Sequence, residues 1–353
     1  MAVITASAFM PVAAQTQPEP WLNPNTTRVN TEAPRSSFFA FETANLALRG
    51  DKKQSGRYLS LEGTWKFNFA RNHNEAPADF FKTSFDDAGW ADFPVPGLFE
   101  TNGYGDIIYK NVGYSWDTQF ESNPPYVEER NNYTGSYRRA ITVPASWKGS
   151  DIYLHVGSAT SNIEVWVNGK HVGYSEDSKM EAVFNLTKYL KPGQENLIAM
   201  RVMRWCDGSY LEDQDFWRFT GIAREVYLYA RPKAHIEDFT VSTDFLNGDF
   251  NTGQVLIQLT APAAKGKKIK VDLLAADGKP ANPAKTDNFQ IKSDGKAEVG
   301  ITIPNVQRWT AETPYLYTAV ISLYDGDKLV ESIRQRIGIR KVEIKGGQLL
   351  VNG

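Results

Sequence analysis

The chain has 353 residues, enough for two or three domains, and 41% of them are apolar, so each domain can bury a real core. Lys plus Arg (39) nearly balance Asp plus Glu (41), and no basic stripe is visible, which gives no reason to expect a nucleic-acid partner. A single cysteine, Cys206, excludes an intrachain disulfide framework, and the four histidines (His73, His155, His171, His235) lack metal-ligand spacing.

Residues 1–15 are small and apolar and end in Ala13-Ala14-Gln15. This pattern reads as the apolar stretch and cleavage site of a secretory leader, although the usual basic start is missing, and it predicts export to a periplasm. The stretch is too short for a membrane span, and no other segment approaches that length.

Beyond residue 50 the pattern is strand-like. Ile152, Leu154 and Val156 alternate with Tyr153 and His155, and Ile163, Val165 and Val167 alternate with Glu164 and Trp166. Asn168-Gly169 follows, a hairpin signal because both residues accept positive φ. Further strands are predicted over 197–205 and 224–230. Arg231-Pro232-Lys233 marks a boundary, since proline removes a ladder donor. Six or seven shorter strands then follow in about 105 residues, with hairpin signals at Asp277-Gly278 and Asp325-Gly326, the spacing of an immunoglobulin-like sandwich. The segment 342–353 reads as a hairpin ending on Asn352-Gly353, an open turn that suggests a chain cut short.

The nine Trp and sixteen Tyr are more than folding requires. Such aromatics fill sandwich cores or stack on the C–H face of a sugar. Trp65, Trp166 and Trp205 fall in strand patterns and read as core. Cys206, at a strand end, reads as a buried structural thiol. Glu176 and Asp177 sit in a turn context and read as a solvated loop. No phosphate-binding loop, GxSxG elbow, HExxH or CxxC pair occurs. Three Asn-X-Thr triplets begin at Asn25, Asn132 and Asn185, and a bacterial type of leader makes them idle.

Several blocks carry a resemblance. They include Leu61-Glu62-Gly63-Thr64-Trp65, Pro94-Val95-Pro96-Gly97-Leu98-Phe99, Asn123-Pro124-Pro125-Tyr126 and Gly173-Tyr174-Ser175-Glu176-Asp177-Ser178. The sharpest runs from Arg204-Trp205-Cys206-Asp207-Gly208-Ser209-Tyr210 through Leu211-Glu212-Asp213-Gln214-Asp215-Phe216-Trp217-Arg218. Together they resemble glycoside hydrolase family 2, nearest to its β-galactosidase branch, over residues 20–353; Phe99 departs mildly, standing where many members carry Trp. The resemblance implies an all-β chain. A leader-like segment (1–15) and an extended arm (16–50) precede a jelly-roll, galactose-binding-like sugar-binding domain (51–232). An immunoglobulin-like β-sandwich (233–340) and the start of a TIM-barrel catalytic domain (341–353) follow.

It also implies hydrolysis of terminal non-reducing β-D-galactose residues by a retaining mechanism. That chemistry uses two carboxylates roughly 5 Å apart, placed by the family on the barrel downstream of position 353, so the chain alone is expected to be inactive and none of its residues is assigned a catalytic role. Sodium and magnesium are implied for the intact enzyme, with Asp215 as the one sodium ligand here. The expected partners are a β-galactoside, the barrel domain and, at full length, further copies in a homo-oligomer.

Two residues are candidates for touching substrate. The resemblance puts Asp215, the second Asp of Asp213-Gln214-Asp215, at the galactose hydroxyls and at sodium, a hard cation suited to carboxylate oxygen. Taken without the resemblance, it reads as a loop carboxylate capping backbone N–H groups. Asn123 precedes two prolines that stiffen its loop, and the family places it at the edge of the active site; the other reading is a surface turn residue. Trp217 and Arg218 are expected to anchor the loop, Trp217 packing beneath it and Arg218 pairing with Glu212 or Asp213. Competing with the enzyme reading are a stand-alone carbohydrate-binding or scaffold module and a family 2 enzyme for a glucuronide or mannoside.

Overall fold

A computed structural model describes residues 19–212, 215–281 and 289–353. The leader-like segment 1–15 and the Asp213-Gln214 step lie outside them. The chain is all-β, and the one α-helix among the described residues is Ala44–Arg49. Thr43 caps its start by accepting the Leu46 N–H, and Gly50, at φ 71°, ends it in the left-handed region that glycine enters freely.

The first sandwich has a seven-stranded sheet in the order Arg28–Val29, Lys170–Glu176, Asn162–Val167, Glu195–Met203, Thr134–Thr142, Gly63–Ala70, Ala91–Val95. A four-stranded sheet faces it, in the order Ala182–Asn185, Asp151–Val156, Val226–Arg231, Tyr58–Ser60. Neighbouring strands are antiparallel but mostly not consecutive in sequence, the connectivity of a jelly roll. Between the sheets lies an aromatic-rich core around Trp65, Phe67, Phe93, Phe99 and Tyr137. Phe67 is its hub, with ring centroids 4.3 Å from Phe93 and 4.9 Å from Tyr137. Trp65, Trp166 and Trp205 are all buried, as their strand context predicts. Asn168 and Gly169 adopt φ 52° and 79° and turn one strand back on the next.

Alternation puts Tyr153 and His155 on the outer face of their strand, yet both are buried. Aromatic neighbours on that face explain it: Tyr58, Tyr227 and Tyr229 of the same sheet, with Phe39 from the arm, pack around Tyr153, and His155 stacks on Tyr227 at 4.4 Å.

The second sandwich pairs a three-stranded sheet (Asp238–Phe245, Gly253–Thr260, Lys296–Ile303) with a five-stranded one (Ala40–Phe41, Lys328–Ile337, Tyr317–Asp325, Lys268–Leu274, Phe289–Gln290). Strict in-out burial along Lys296–Ile303 shows a sheet with one wet face. The arm thus lends one strand to each sandwich. A buried ion pair also joins the two: Arg231 Nη2 lies 2.5 Å from Glu331 Oε1, which in addition accepts the Ile236 N–H at 2.8 Å.

The described residues end in the hairpin Val342–Lys345 and Gln348–Val351, whose Val342, Ile344, Leu349 and Val351 are exposed. No helix among the described residues is long and apolar enough to cross a membrane.

Candidate functional site

The strand Glu195–Met203 of the large sheet runs into Arg204-Trp205-Cys206 and then the 3-10 turn Asp207–Tyr210. Trp205 is clamped there by Asn132, whose Oδ1 accepts the Trp205 N–H at 2.9 Å while its Nδ2 donates to the Trp205 carbonyl at 3.1 Å. Asn132 is wholly buried by this service. From this anchored turn the acidic loop departs and returns as Phe216–Arg218, which pairs with Ile108–Lys110 in a two-stranded ribbon.

The described acids of the loop have separate tasks. Glu212 is inward and structural. Its Oε2 meets Arg218 Nη1 at 2.5 Å, and its Oε1 accepts the Ser178 hydroxyl at 2.5 Å. Burial alone would raise the Glu212 carboxyl, but Arg218 and the Ser178 donors outweigh it and hold it below the usual range. Arg218 also donates to the Arg204 carbonyl at 3.0 Å and lies over the Trp205 ring. The predicted pairing of Arg218 with an acid is therefore met by Glu212.

Asp215 is outward and exposed. Its Oδ1 accepts the Tyr109 hydroxyl at 3.2 Å. Its other oxygen makes no hydrogen bond among the described residues, and the carboxylate borders a cavity of about 350 Å³ shared with Lys179, Glu212 and Trp217. Asp215 caps no backbone N–H among the described residues, unlike the loop-capping reading of it. Among the described residues Trp217 does not pack beneath the loop. It is 45% exposed and sits between Tyr109 (centroids 5.0 Å apart) and Phe219 (6.2 Å, stacked). The pairing register explains this: opposite Tyr109 on a narrow ribbon, the indole has no core to enter.

Asn123 lies in a tight turn, its carbonyl accepting the Tyr126 N–H at 2.8 Å. Its own N–H donates to the Tyr210 hydroxyl at 3.1 Å, and that hydroxyl donates to the Tyr126 carbonyl at 2.7 Å. The Asn123 side chain is exposed and makes no hydrogen bond among the described residues. Tyr210 thus ties the Asn123 loop to the turn that launches the acidic loop. Tyr109 and Tyr210 are the two positioning residues that the sequence alone did not single out. Tyr210 lies inside the Arg204–Arg218 block that carries the family resemblance, and Tyr109 opens a further block that shares it, Tyr109-Lys110-Asn111-Val112-Gly113-Tyr114, which was the available signal.

The solvated-loop reading of Glu176 is corrected. It is the last residue of the strand Lys170–Glu176 and only 8% exposed, because the turn Asp207–Tyr210 folds over it. Burial, then the nearby Asp207, raises its carboxyl to about 7. Only Asp177 is solvated, at φ 91°. Cys206 is a buried thiol, as its strand-end position predicts, and burial pushes its ionisation up.

The sequence matches the glycosyl hydrolases family 2 sugar binding domain over residues 58–232 and a second glycosyl hydrolases family 2 domain over residues 234–340. A β-galactosidase of Priestia megaterium is 35% identical over 337 residues, covering 94% of this chain and 32% of that protein. A β-galactosidase of Streptococcus thermophilus is 36% identical over 334 residues with the same coverage. The chain therefore spans about a third of the length of these curated relatives. Among solved structures, a glycosyl hydrolase family 2 member from Bacteroides cellulosilyticus aligns with TM-score 0.64 at 24% identity, covering 84% of this chain and 38% of that one. A Bifidobacterium dentium β-glucuronidase aligns with TM-score 0.63 at 22% identity, covering 84% and 50%; these two likenesses speak for the fold alone. A jelly roll followed by an immunoglobulin-like sandwich, each matching a domain of one family in the order seen here, makes this chain a member of glycoside hydrolase family 2.

Proposed function

We propose that this chain is the N-terminal portion of a retaining β-galactosidase and that it completes the galactose subsite through Asp215 and Asn123. The observation that carries the reading is Asp215. One of its oxygens is held by Tyr109 while the carboxylate borders a cavity beside an exposed indole face. A carboxylate that accepts hydroxyl donors, set next to an aromatic ring for the C–H face, is the pairing of groups that sugars require. Over a third of positions are shared with the β-galactosidases, which supports galactose over a glucuronide or mannoside.

The acid/base and nucleophilic glutamates belong, in this reading, to a barrel domain that the chain packs against. Asp215 also suits a sodium ion, to which the described residues would contribute this one hard oxygen, the remaining ligands coming from the barrel and solvent. Magnesium would be held wholly outside this chain. Export through the leader-like segment and assembly into a homo-oligomer complete the proposal.

The test replaces the N-terminal third of the Priestia megaterium β-galactosidase with residues 20–353 of this chain. The hybrid is expected to hydrolyse nitrophenyl β-D-galactoside, while the remaining two thirds of the enzyme alone and the isolated chain do not. A folded hybrid without galactosidase activity, or an isolated chain that cleaves the substrate unaided, contradicts the reading.

A further inference from the structure

The underside of the turn Asp207–Tyr210 holds an unusual concentration of buried polar atoms without partners. Glu176 is 8% exposed, and neither carboxylate oxygen makes a well-formed hydrogen bond among the described residues, its polar neighbours being the Cys206 thiol, the Asp207 carboxyl and the Gly208 N–H. Asp207 is 7% exposed, and its Oδ1 has none. Tyr174 lies two residues before Glu176 on the same strand and so on the same face. It is 1% exposed and its hydroxyl is also unpartnered among the described residues. The Cys206 thiol is equally buried, with a weak 3.9 Å contact to the Ser161 carbonyl. One ligand atom each from Glu176, Cys206 and Asp207 all lie within 4.8 Å of one another. Gly208 leaves the room for this: a Cβ there would stand 2.9 Å from Glu176 Oε2.

Buried polar groups nearly always have partners, and two carboxylates side by side away from water repel one another as well. Either a shared proton or a cation has to sit among them, and the thiol beside the pair points to a cation. We propose that Glu176, Asp207 and Cys206 are three protein ligands of a divalent zinc-class cation. Sulfur decides the class. Zinc accepts thiolate and carboxylate together in a four-coordinate shell, whereas magnesium and calcium require about six or more oxygens and do not recruit a thiol. The fourth position is left to water. Binding displaces the thiol proton and any proton held between the carboxyls, so affinity rises with pH. Ser175, Glu176 and Asp177 also line a cavity of about 550 Å³ along the arm.

The ion would pin the end of the strand Lys170–Glu176 to the turn Asp207–Tyr210. The Ser178–Glu212 bond that holds the acidic loop follows on one side, and Tyr210, which holds the Asn123 loop, on the other. The site is separate from Asp215 and does not depend on which sugar the chain serves.

The test uses the whole chain after chelation, titrated with zinc chloride and separately with magnesium chloride, with cobalt(II) as a spectroscopic probe. The expected result is one zinc per chain, a melting temperature raised by zinc and not by magnesium, and a thiolate-to-cobalt band in the near ultraviolet. Glu176→Gln and Asp207→Asn each lower zinc affinity 100-fold or more, and Cys206→Ser removes the cobalt band. Glu176→Gln is isosteric, so it keeps the test decisive if another variant fails to fold. Absence of stoichiometric zinc binding overturns the proposal. So does binding undiminished in Glu176→Gln, or a cobalt spectrum without the sulfur band; a carboxyl pair merely sharing a proton would then account for the cluster.

Discussion

The hydroxyl of Tyr109 donates to Asp215 Oδ1 at 3.2 Å, across the ribbon in which Tyr109 also stands opposite Trp217. One tyrosine therefore orients the carboxylate and supports the indole beside it. Replacing Tyr109 by Phe keeps the ring and removes the donor. The bond orients the carboxylate at an exposed site, so KM for a galactoside in the hybrid enzyme should rise by up to about tenfold with kcat little changed. Both Tyr109 and Asp215 are exposed, and the melting temperature should stay put. Equal KM values would show that the bond does no positioning.

Glu212 and Arg218 form the inner brace of the same loop. Removing the acid leaves the Arg218 guanidinium buried without a charged partner, which costs about 3–5 kcal/mol in comparable pairs. Urea unfolding of Glu212→Ala should show a loss of that order, and Glu212→Gln, which can still accept hydrogen bonds, a smaller one. The folded carboxyl titrates below its unfolded value, so the contribution is present above the unfolded value and is lost as pH falls through the folded one. A loss under 1 kcal/mol in Glu212→Ala would contradict the brace.

Arg231 and Glu331 join the two sandwiches out of contact with water. Glu331→Ala strands the Arg231 charge and deprives the Ile236 N–H of its acceptor. The expected destabilisation is about 3–5 kcal/mol. Limited proteolysis should in addition cut near Pro232. If the variant melts as the parent does, the pair is not what couples the domains.

His155 supplies a pH dependence. Burial under the arm, outweighing the nearby Glu225, and helped by Lys52 and Arg35, lowers its ionisation from the usual 6.5 to about 4; Glu181 Oε2 lies 3.4 Å from its ring. A group depressed in the folded state contributes stability that is complete above the unfolded value and is lost as pH falls toward the folded one. His155→Phe keeps the stack on Tyr227 but cannot titrate. Between pH 7 and pH 4 the parent should lose on the order of 1–3 kcal/mol more than this variant. Parallel stability curves would rule out His155 as a source of acid sensitivity.

Much of the architecture is legible in local pattern. Alternating Ile152, Leu154 and Val156, the Asn168-Gly169 turn and the short regular strands beyond Pro232 each follow from side-chain period and turn chemistry. The arm was not, because strands as short as Arg28–Val29 and Ala40–Phe41 carry no period, and their pairing depends on sheets formed far away in sequence. The site shows the same division. Asp215 stands out within its acidic run, but Tyr109, which holds it, lies 106 positions away. Glu176 reads as part of a polar turn because Asp177 and Ser178 follow it; only the return of the chain at Asp207–Tyr210 buries it. Trp217 carries the bulk of a core residue, but its register on a two-stranded ribbon keeps it wet.

The most direct measurement is the galactose affinity of the folded hybrid enzyme with Asp215 intact and with Asp215→Asn, read as inhibition by free galactose over a range of sodium concentrations. Asp215→Asn should weaken galactose binding by at least tenfold and flatten the sodium response. Undiminished galactose binding together with an unchanged sodium response would show that this carboxylate faces neither sugar nor ion.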